Sequence, residues 1–294
     1  MEKQNNLTLI NPQTGNLAFK LYTFERNNPF DHIQRPGYYS LIWVKKGNGK
    51  LRANFSEYPF SQNSLLSFSP YEPFMLNATE PISGLVINFH PDFFCIHKHH
   101  KEVACHGVLF NNIYDPPLIN IDKGTEGNLE MIISQIQIEL QKPALAQYEL
   151  LISYLKIFLI TASRLKTEQQ ANAQKVTAEN EEPFILQNLK NYIETHYKTK
   201  HTASDYADML SITPKALTKL TKVHYHKTLT DLISERIIIE AKRELYLTNK
   251  NIKEIAYELG YNDEYYFSRF FKKNTEVSPQ LYRETIGFDK ASSL

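Results

Sequence analysis

The sequence has only two cysteines among its 294 residues, Cys95 and Cys105. A single close pair cannot supply the disulfide framework of a small secreted protein, and it agrees with a reducing compartment. The chain also lacks an apolar stretch long enough to span a bilayer, and its first residues, MEKQNNLTLI, show no basic segment leading into an apolar run. We therefore expect a cytoplasmic protein with no signal peptide and no membrane contact.

Glycine and proline are not in excess, at 10 and 14 residues, which excludes collagen-like and low-complexity classes. The formal net charge is +1 and hides a small asymmetry. Residues 1–182 carry 16 basic and 18 acidic side chains (net −2), and residues 183–294 carry 17 and 14 (net +3). The C-terminal third is thus the part that could face phosphate, although an excess of this size does not by itself identify a nucleic-acid-binding protein.

The length of the chain suits two domains, each with its own core. Residues 167–183, TEQQANAQKVTAENEEP, are polar and end at a proline, which is typical of a linker. Before it, short runs of aromatic and aliphatic residues predict the strands of an antiparallel sandwich or barrel: residues 19–25, 38–45, 49–55, 64–68 and 82–89. Within KKGNGKL, residues 45–51, the Gly-Asn-Gly sequence predicts a tight hairpin.

Residues 126–141 and 144–166 change to a helical period. The second helix carries one apolar stripe, whose members are Leu151, Leu155, Phe158, Ala162 and Leu165. Such a stripe can pack against its own barrel or form a dimer interface, and periodicity alone leaves both interpretations open.

After the linker, the sequence predicts helices and contains an internal repeat. ADMLSITPKALTKLTK, from Ala207, aligns with AYELGYNDEYYFSRFFKK, from Ala256. The first matched pairs are 49 positions apart and the later ones are 50 apart, so the second copy has one extra residue in its turn. The matched pairs are Ala207 and Ala256, Leu210 and Leu259, Leu217 and Phe267, Leu220 and Phe270, and Lys222 and Lys272. Two copies of a short helix, a turn and a second helix indicate two helix-turn-helix units, which residues 229–247 join as a further helix.

Local signals support both copies. Thr213 is a good N-cap and Pro214 suits the first helical position. Gly260 can adopt the left-handed conformation that ends a helix, and Asn262 is the expected cap of the next one.

Residues 252–284 resemble the signature of the AraC/XylS family of bacterial transcription regulators. The residues that carry the resemblance are Ile255-Ala256, Gly260-Tyr261, Tyr266-Phe267-Ser268-Arg269, Phe271-Lys272-Lys273, Ser278-Pro279 and Tyr282-Arg283. It is strong over residues 184–286, and it extends weakly to the front of the chain through YYSLIWVKKGNGKL and SLLSFSPYEP. The chain departs from the family at Glu276 and His226, where a glycine is usual.

The resemblance implies an α+β protein of two domains. Residues 1–166 would form a cupin-like β-barrel with two C-terminal helices, which binds a small-molecule effector and dimerises. Residues 184–294 would form an all-α double helix-turn-helix domain, after a linker at 167–183. Duplex DNA, RNA polymerase and a second copy of the chain are the implied partners, and the stripe of Leu151, Leu155, Phe158 and Ala162 becomes the expected dimer interface.

The face opposite the core of each second helix should enter the major groove. By resemblance, the base-contacting or groove-lining positions are Lys215, Thr218, Lys219, Glu264, Tyr265, Ser268 and Arg269. Arg269 can pair with guanine O6 and N7, while Glu264 can accept from cytosine N4 or complement its helix N-terminus. Lys222, Lys272 and Lys273 are the expected phosphate contacts.

Two other classes compete with this hypothesis. A metal-dependent cupin enzyme needs a cluster of histidine and carboxylate ligands, but FDHIQRPGYY offers His32 alone, and Phe74 occupies the later histidine position. We therefore expect no catalytic activity. The second class is a protein-interaction adaptor, which Arg269 and the lysines expected to contact DNA disfavour. An adaptor would not bind DNA, whereas the affinity of a DNA-binding protein for DNA falls steeply with salt.

Residues 95–107, CIHKHHKEVACHG, raise the question of a metal site. Cys95, His99, Cys105 and His106 could form a zinc set, yet their spacing matches none of the usual zinc-finger patterns. We expect no cofactor here, and a role in packing or in the effector pocket.

Overall fold

A computed structural model describes residues 6–53, 56–103, 107–176 and 184–286 of the chain. It divides into two compact units, each built from two pieces of chain. The sheet unit comprises Met1–Asn112 and Pro116–Ala173, and the helical unit comprises Ile113–Asp115 and Gln174–Leu294. No helix among the described ranges is both long and apolar enough to cross a membrane.

The sheet unit contains two antiparallel sheets. Its strands are β1 (Asn6–Ile10), β2 (Leu17–Phe24), β3 (Tyr39–Lys46), β4 (Gly49–Ala53), β5 (Ser56–Phe60), β6 (Ser64–Phe68), β7 (Phe74–Ala78), β8 (Ser83–Phe89) and β9 (Leu118–Asn120). The larger sheet has the order β1-β2-β8-β3-β6-β9, and the smaller one the order β5-β4-β7. The strands predicted from the sequence correspond to β2, β3, β4, β6 and β8, whereas β1, β5, β7 and β9 were not predicted.

The core of the sheet unit lies on both faces of the larger sheet. Ile42 and Val44 of β3 face the smaller sheet, and the stacked rings of Phe68 and Phe74, 3.9 Å apart, join the two layers. Trp43, on the opposite face of β3, belongs to the cluster that includes the helices. Burial on both faces explains why residues 41–44 of β3, LIWV, are apolar without interruption.

The hairpin predicted at residues 45–51 is wrong. β3 pairs with β6 and β8, whereas β4 pairs with β5 and β7, so the Gly-Asn-Gly segment passes from one sheet to the other. Gly47 has φ of 90°, and a Cβ atom at Gly49 would lie 2.3 Å from the carbonyl oxygen of Asn77. The two glycines are therefore needed for a tight corner between sheets, where neighbouring backbone comes very close.

Three helices complete the sheet unit: α1 (His100–Val103), α2 (Lys123–Gln141) and α3 (Gln147–Val176). The stripe on α3 is fully buried against the large sheet and α2, with Leu151, Leu155, Phe158 and Ala162 all at 0% exposure. These four side chains are therefore core residues of one chain, and the prediction that they form the dimer interface is wrong. Intramolecular packing, the other interpretation of the stripe, is confirmed.

The linker predicted at 167–183 begins too early. α3 continues to Val176, so residues 167–176 are helical, and residues 177–183 lie outside the described part of the chain. The segment is polar because it is rich in Glu, Gln and Lys, and these residues, like the alanines among them, are good helix formers. A polar composition thus did not distinguish a solvated helix from a linker.

The helical unit contains α4 (Phe184–His196), α5 (Ala203–Met209), α6 (Pro214–Tyr225), α7 (Leu229–Leu247), α8 (Ile252–Glu258), α9 (Glu264–Thr275) and α10 (Pro279–Ile286). α7 has the bounds predicted from the sequence, and it is the central helix, with contacts to α4, α6, α8, α9 and α10. Its N-terminus has a capping box, in which Thr228 and Asp231 satisfy each other's backbone N–H groups.

Candidate nucleic-acid interface

The structure contains the predicted repeat as two helix-turn-helix units of equal dimensions. α5 and α8 each have 7 residues, and α6 and α9 each have 12. Both first helices begin with a capping box, formed by Thr202 with Asp205 and by Asn251 with Glu254. The two units are therefore built by the same local interactions, although few of their residues are identical.

The tight turn has the same backbone in both units. Ser211 and Gly260 have left-handed φ angles of 55° and 81°. The next backbone N–H then donates back to the small residue of the first helix, from Ile212 to Ala207 at 3.0 Å and from Tyr261 to Ala256 at 2.9 Å. This bond reverses the chain so that the second helix crosses closely over the first.

The second helices of the two units, α6 and α9, each begin with an N-cap side chain. Thr213 caps α6 by accepting from the Ala216 N–H at 3.2 Å, with Pro214 at the first helical position, as predicted. The cap of α9 is Asp263, and the prediction of Asn262 is wrong. The extra residue of the second turn shifts the cap by one position, so that Asp263 corresponds to Thr213.

Buried side chains fix each second helix on its unit. Leu217, Phe267 and Phe271 are fully buried, and Phe271 contacts the ring of Tyr282 on α10. Tyr261 packs against Phe267, and burial raises the pKa of its phenol. One face of α6 and of α9 is thus held, and the opposite face is left to solvent.

The predicted DNA-contacting residues lie on these solvent faces. Lys215, Lys219, Lys222, Tyr265, Arg269, Lys272 and Lys273 are exposed, while Thr218, Glu264 and Ser268 are half-exposed. α6 presents Lys215, Thr218, Lys219 and Lys222 around one open depression. On α9, Glu264 occupies the first turn, where its carboxylate complements the helix N-terminus.

The cations of the two second helices differ from those of the joining helix. Within the described ranges, no carboxylate pairs with Lys215, Lys219, Lys222, Arg269, Lys272 or Lys273. On α7, by contrast, Arg236 pairs with Glu194 and Glu240, and Arg243 pairs with Glu240 and Glu244. The positive charge of α6 and α9 is therefore not neutralised by carboxylates of the described unit, which suits contact with phosphate.

The structure also exposes two residues that sequence reasoning did not select. Val223 on α6 is 62% exposed and Tyr266 on α9 is 59% exposed. Both are large and apolar or aromatic, and both follow predicted site residues along the helix. Counting outward from Leu217 and Phe267 at helical spacing would have found them.

The turns after α6 and α9 contain the two departures from the family signature. His226 and Glu276 both have left-handed φ angles, 59° and 64°. The usual glycine conformation is thus kept by residues with a Cβ atom, which costs on the order of 1 kcal/mol at each position.

The cysteine–histidine segment shows no metal site in the part that is described. No group of three metal-ligating side chains occurs among the described residues. Cys95 is buried and accepts from the Lys98 N–H, while His99 pairs with Glu102 at 2.9 Å and stacks on Phe94. Lys156 also donates to Glu102, and these two hydrogen bonds lower the pKa of that carboxyl to about 2. The other two candidates, Cys105 and His106, lie outside the described residues.

The cupin-enzyme alternative relied on His32. Its side chain is 72% exposed and contacts Asp31 and Gln34 outside the strands, and Phe74 on β7 packs in the core. Neither position carries a ligand into the space between the sheets.

Two matched helix-turn-helix units with outward-facing cations define the DNA-binding class of helix-turn-helix proteins. A family model described as "Helix-turn-helix domain" matches residues 206–285. A transcriptional regulator of this type, encoded in the cgkA 5' region of Pseudoalteromonas carrageenovora, is 30% identical over 118 residues, which are 40% of this chain and 68% of that protein. The chain belongs to the AraC-type family of helix-turn-helix transcriptional regulators.

Two further comparisons cover more of the chain. The transcriptional activator Btr of Bacillus subtilis is 27% identical over 250 residues, which are 84% of this chain and 44% of Btr. A crystal structure of ToxT from Vibrio cholerae covers 92% of this chain and 98% of its own, with 16% identity and a TM-score of 0.41. The chain spans less than half the length of two of the curated relatives that it matches, 42% and 44%.

Proposed function

We propose that the protein is a sequence-specific DNA-binding transcriptional regulator, which acts in the cytoplasm. The observation that carries this proposal is the pair of aligned second helices, α6 and α9, which are fixed by buried side chains and present unpaired cations outward. In a helix-turn-helix protein this helix enters the major groove, and two such helices on one joining helix can read two neighbouring segments. One chain would then recognise a bipartite site.

The residues divide by chemistry into two roles. Lys215, Thr218 and Lys219 on α6, with Glu264, Tyr265, Ser268 and Arg269 on α9, are proposed to read base edges. Lys222, Lys272 and Lys273 lie further along the two helices and are proposed to contact phosphates. Arg269 is the side chain best suited to discriminate, because a guanidinium binds guanine through two parallel hydrogen bonds.

The sheet unit is proposed to be a cupin-like effector domain that binds a small molecule and forms a homodimer. Because the predicted stripe is buried, the subunit contact is proposed on the apolar side chains that α2 and α3 leave exposed to a second copy: Met131, Ile138, Leu150 and Ile157. The two pairs are each seven residues apart, so each pair lies on one helix face. RNA polymerase is the further partner that transcriptional regulation requires.

The experiment is a selection of duplexes from a random library with the full-length protein, followed by affinity measurements at several salt concentrations. We expect one bipartite sequence to be enriched, and we expect its affinity to fall linearly in log salt. A scrambled duplex of the same composition is the control. Absence of an enriched sequence, together with salt-independent binding, would contradict the proposal and favour a protein-interaction adaptor.

A further inference from the structure

Three residues from the front part of the chain, Ile113–Asp115, belong to the helical unit. The residues on either side of them, up to Asn112 and from Pro116, belong to the sheet unit. The chain therefore enters the helical unit and leaves it again within a few residues, about seventy positions before α4 begins. No sequence pattern marks this segment as part of a DNA-binding domain.

Tyr114 is bound within the helical unit by three contacts. Its ring lies edge-on against the ring of Tyr225, with centroids 5.6 Å apart, and its hydroxyl donates to Glu194 on α4 at 3.3 Å. The ammonium of Lys190 lies over both aromatic rings, 5.3 Å from Tyr114 and 5.2 Å from Tyr225. Tyr114 is half-buried, and this burial together with Glu194 raises the pKa of its phenol.

Ile113 forms a second attachment through its backbone. Its side chain is 4% exposed, and its carbonyl oxygen accepts a hydrogen bond from the ammonium of Lys227 at 3.0 Å. Lys227 is itself buried and pairs with Glu235 on α7 at 2.6 Å. A buried ammonium needs several acceptors, so removing the Ile113 carbonyl from this position would leave Lys227 less well solvated.

Two of the residues that the segment contacts, Tyr225 and Lys227, lie at the C-terminal end of α6, which is the first recognition helix. Tyr225 is the last residue of α6, and Lys227 lies in the turn that leads into α7. Rotation of α6 about its axis, or a shift along it, would change the contact of Tyr225 with Tyr114. The segment is thus placed to fix how α6 presents Lys215 and Lys219.

The flanks of the segment are held in the sheet unit by buried residues. The Ser69 hydroxyl donates to Asn111 Oδ1 at 3.0 Å, and the Lys166 ammonium donates to the Pro116 carbonyl at 2.8 Å. The backbone N–H of Ser67, on β6, donates to the Pro117 carbonyl at 2.9 Å. Two consecutive prolines, Pro116 and Pro117, restrict the backbone directly after the segment.

We propose that Ile113–Asp115 positions α6, the first recognition helix, with Tyr114 as the positioning residue, so that the segment sets the DNA affinity of the first helix-turn-helix unit. This inference deepens the proposed function and rests on it. Within the helical unit, the segment contacts α4, the end of α6 and the turn before α7.

The test uses full-length protein with substitutions at Tyr114 and a duplex enriched by the wild-type protein. We expect Tyr114→Ala to lower the affinity about tenfold, within the usual range of coupling between sites. Tyr114→Phe keeps the ring contact with Tyr225 and should restore most of the affinity. Tyr192→Ala, a tyrosine on α4 that contacts His196, is the matched control and should bind as the wild type does.

Two further readouts separate positioning from general loss of stability. Base changes in the half of the site that α6 contacts should lower the affinity of Tyr114→Ala by a smaller factor than that of the wild type. Base changes in the half that α9 contacts should lower the affinity of both proteins by the same factor. Hydrogen exchange should accelerate at the C-terminal end of α6 and not in α9. If Tyr114→Ala does not fold, Tyr114→Leu keeps the apolar bulk and takes its place.

The outcomes distinguish this inference from the proposed function. Wild-type protein that selects no sequence refutes both. Wild-type protein that selects a sequence, with Tyr114→Ala binding equally and discriminating equally in both halves, overturns the positioning role and leaves the proposed function intact. An equal loss of discrimination in the two halves would also overturn it, because the segment would then support the whole helical unit.

Discussion

Ser211 and Gly260 occupy the same position of the two helix-turn-helix repeats, and both adopt a left-handed backbone, with φ of 55° and 81°. The turn therefore requires this conformation in both copies, yet only the second copy has the residue that adopts it without strain. The reason is local: a Cβ atom at Gly260 would lie 2.1 Å from the carbonyl oxygen of Lys198. The second turn is closed by neighbouring backbone, and the first tolerates a side chain.

Gly260→Ala should destabilise the helical unit by more than about 1 kcal/mol, because it adds the cost of a left-handed alanine to a steric overlap with backbone. Ser211→Ala is the matched control and should change stability by less than about 0.5 kcal/mol, since a Cβ atom is already present there. Urea unfolding followed by circular dichroism measures both. Equal unfolding midpoints for the two variants would show that the second turn can open to admit the methyl group.

The sequence predicted the helical unit well because its signals are local. Caps, a proline at the first helical position and a left-handed turn act over a few residues, and a repeat reports each of them twice. The exception, Asn262 in place of Asp263, arose where the repeat changes its offset. The site residues followed from the same pattern, since exposure on a helix is set by the position of its core residues.

Arg269→Ala should lower affinity for the selected duplex by about 1–3 kcal/mol and relax specificity at one base pair. Lys272→Ala, three residues further along α9, should weaken selected and scrambled duplexes by similar factors and reduce the salt slope by about one. Competition binding with single-base variants of the duplex measures both effects. An unchanged ratio of specific to nonspecific affinity in Arg269→Ala would show that another side chain reads that base.

His201 predicts a pH dependence of stability in the helical unit. Burial lowers its pKa below the ordinary value of 6.5, against smaller opposing effects from backbone acceptors and Asp205. The unfolded chain therefore takes up the proton first as the pH falls, so this contribution to stability is present above pH 6.5 and is lost below it. Urea midpoints between pH 7.5 and 5 should fall less for His201→Gln than for the wild type; parallel curves would contradict the assignment.

The features that the sequence did not predict depend on residues distant in the chain. Periodicity showed that Leu155 lies on a buried stripe of α3, but it could not show that the same chain buries it. The Gly-Asn-Gly segment has hairpin chemistry, and only the partners of β3 and β4 reveal a corner between sheets. Tyr114 carries no motif at all, because its role comes from tertiary contacts with Tyr225 and Glu194.

Leu155→Ala tests the assignment of the α3 stripe to the core of the sheet unit. The side chain is fully buried among the strands and α2, so its truncation should cost about 2–5 kcal/mol through lost burial and a residual cavity. Arg164→Ala, at an exposed position of the same helix, is the control and should cost less than about 1 kcal/mol. Fluorescence of Trp43, the single tryptophan of the chain and a core residue of the same unit, can follow the unfolding of both variants. A Leu155→Ala protein that unfolds at the wild-type midpoint but sediments at half the wild-type mass would place this side chain at a subunit contact instead.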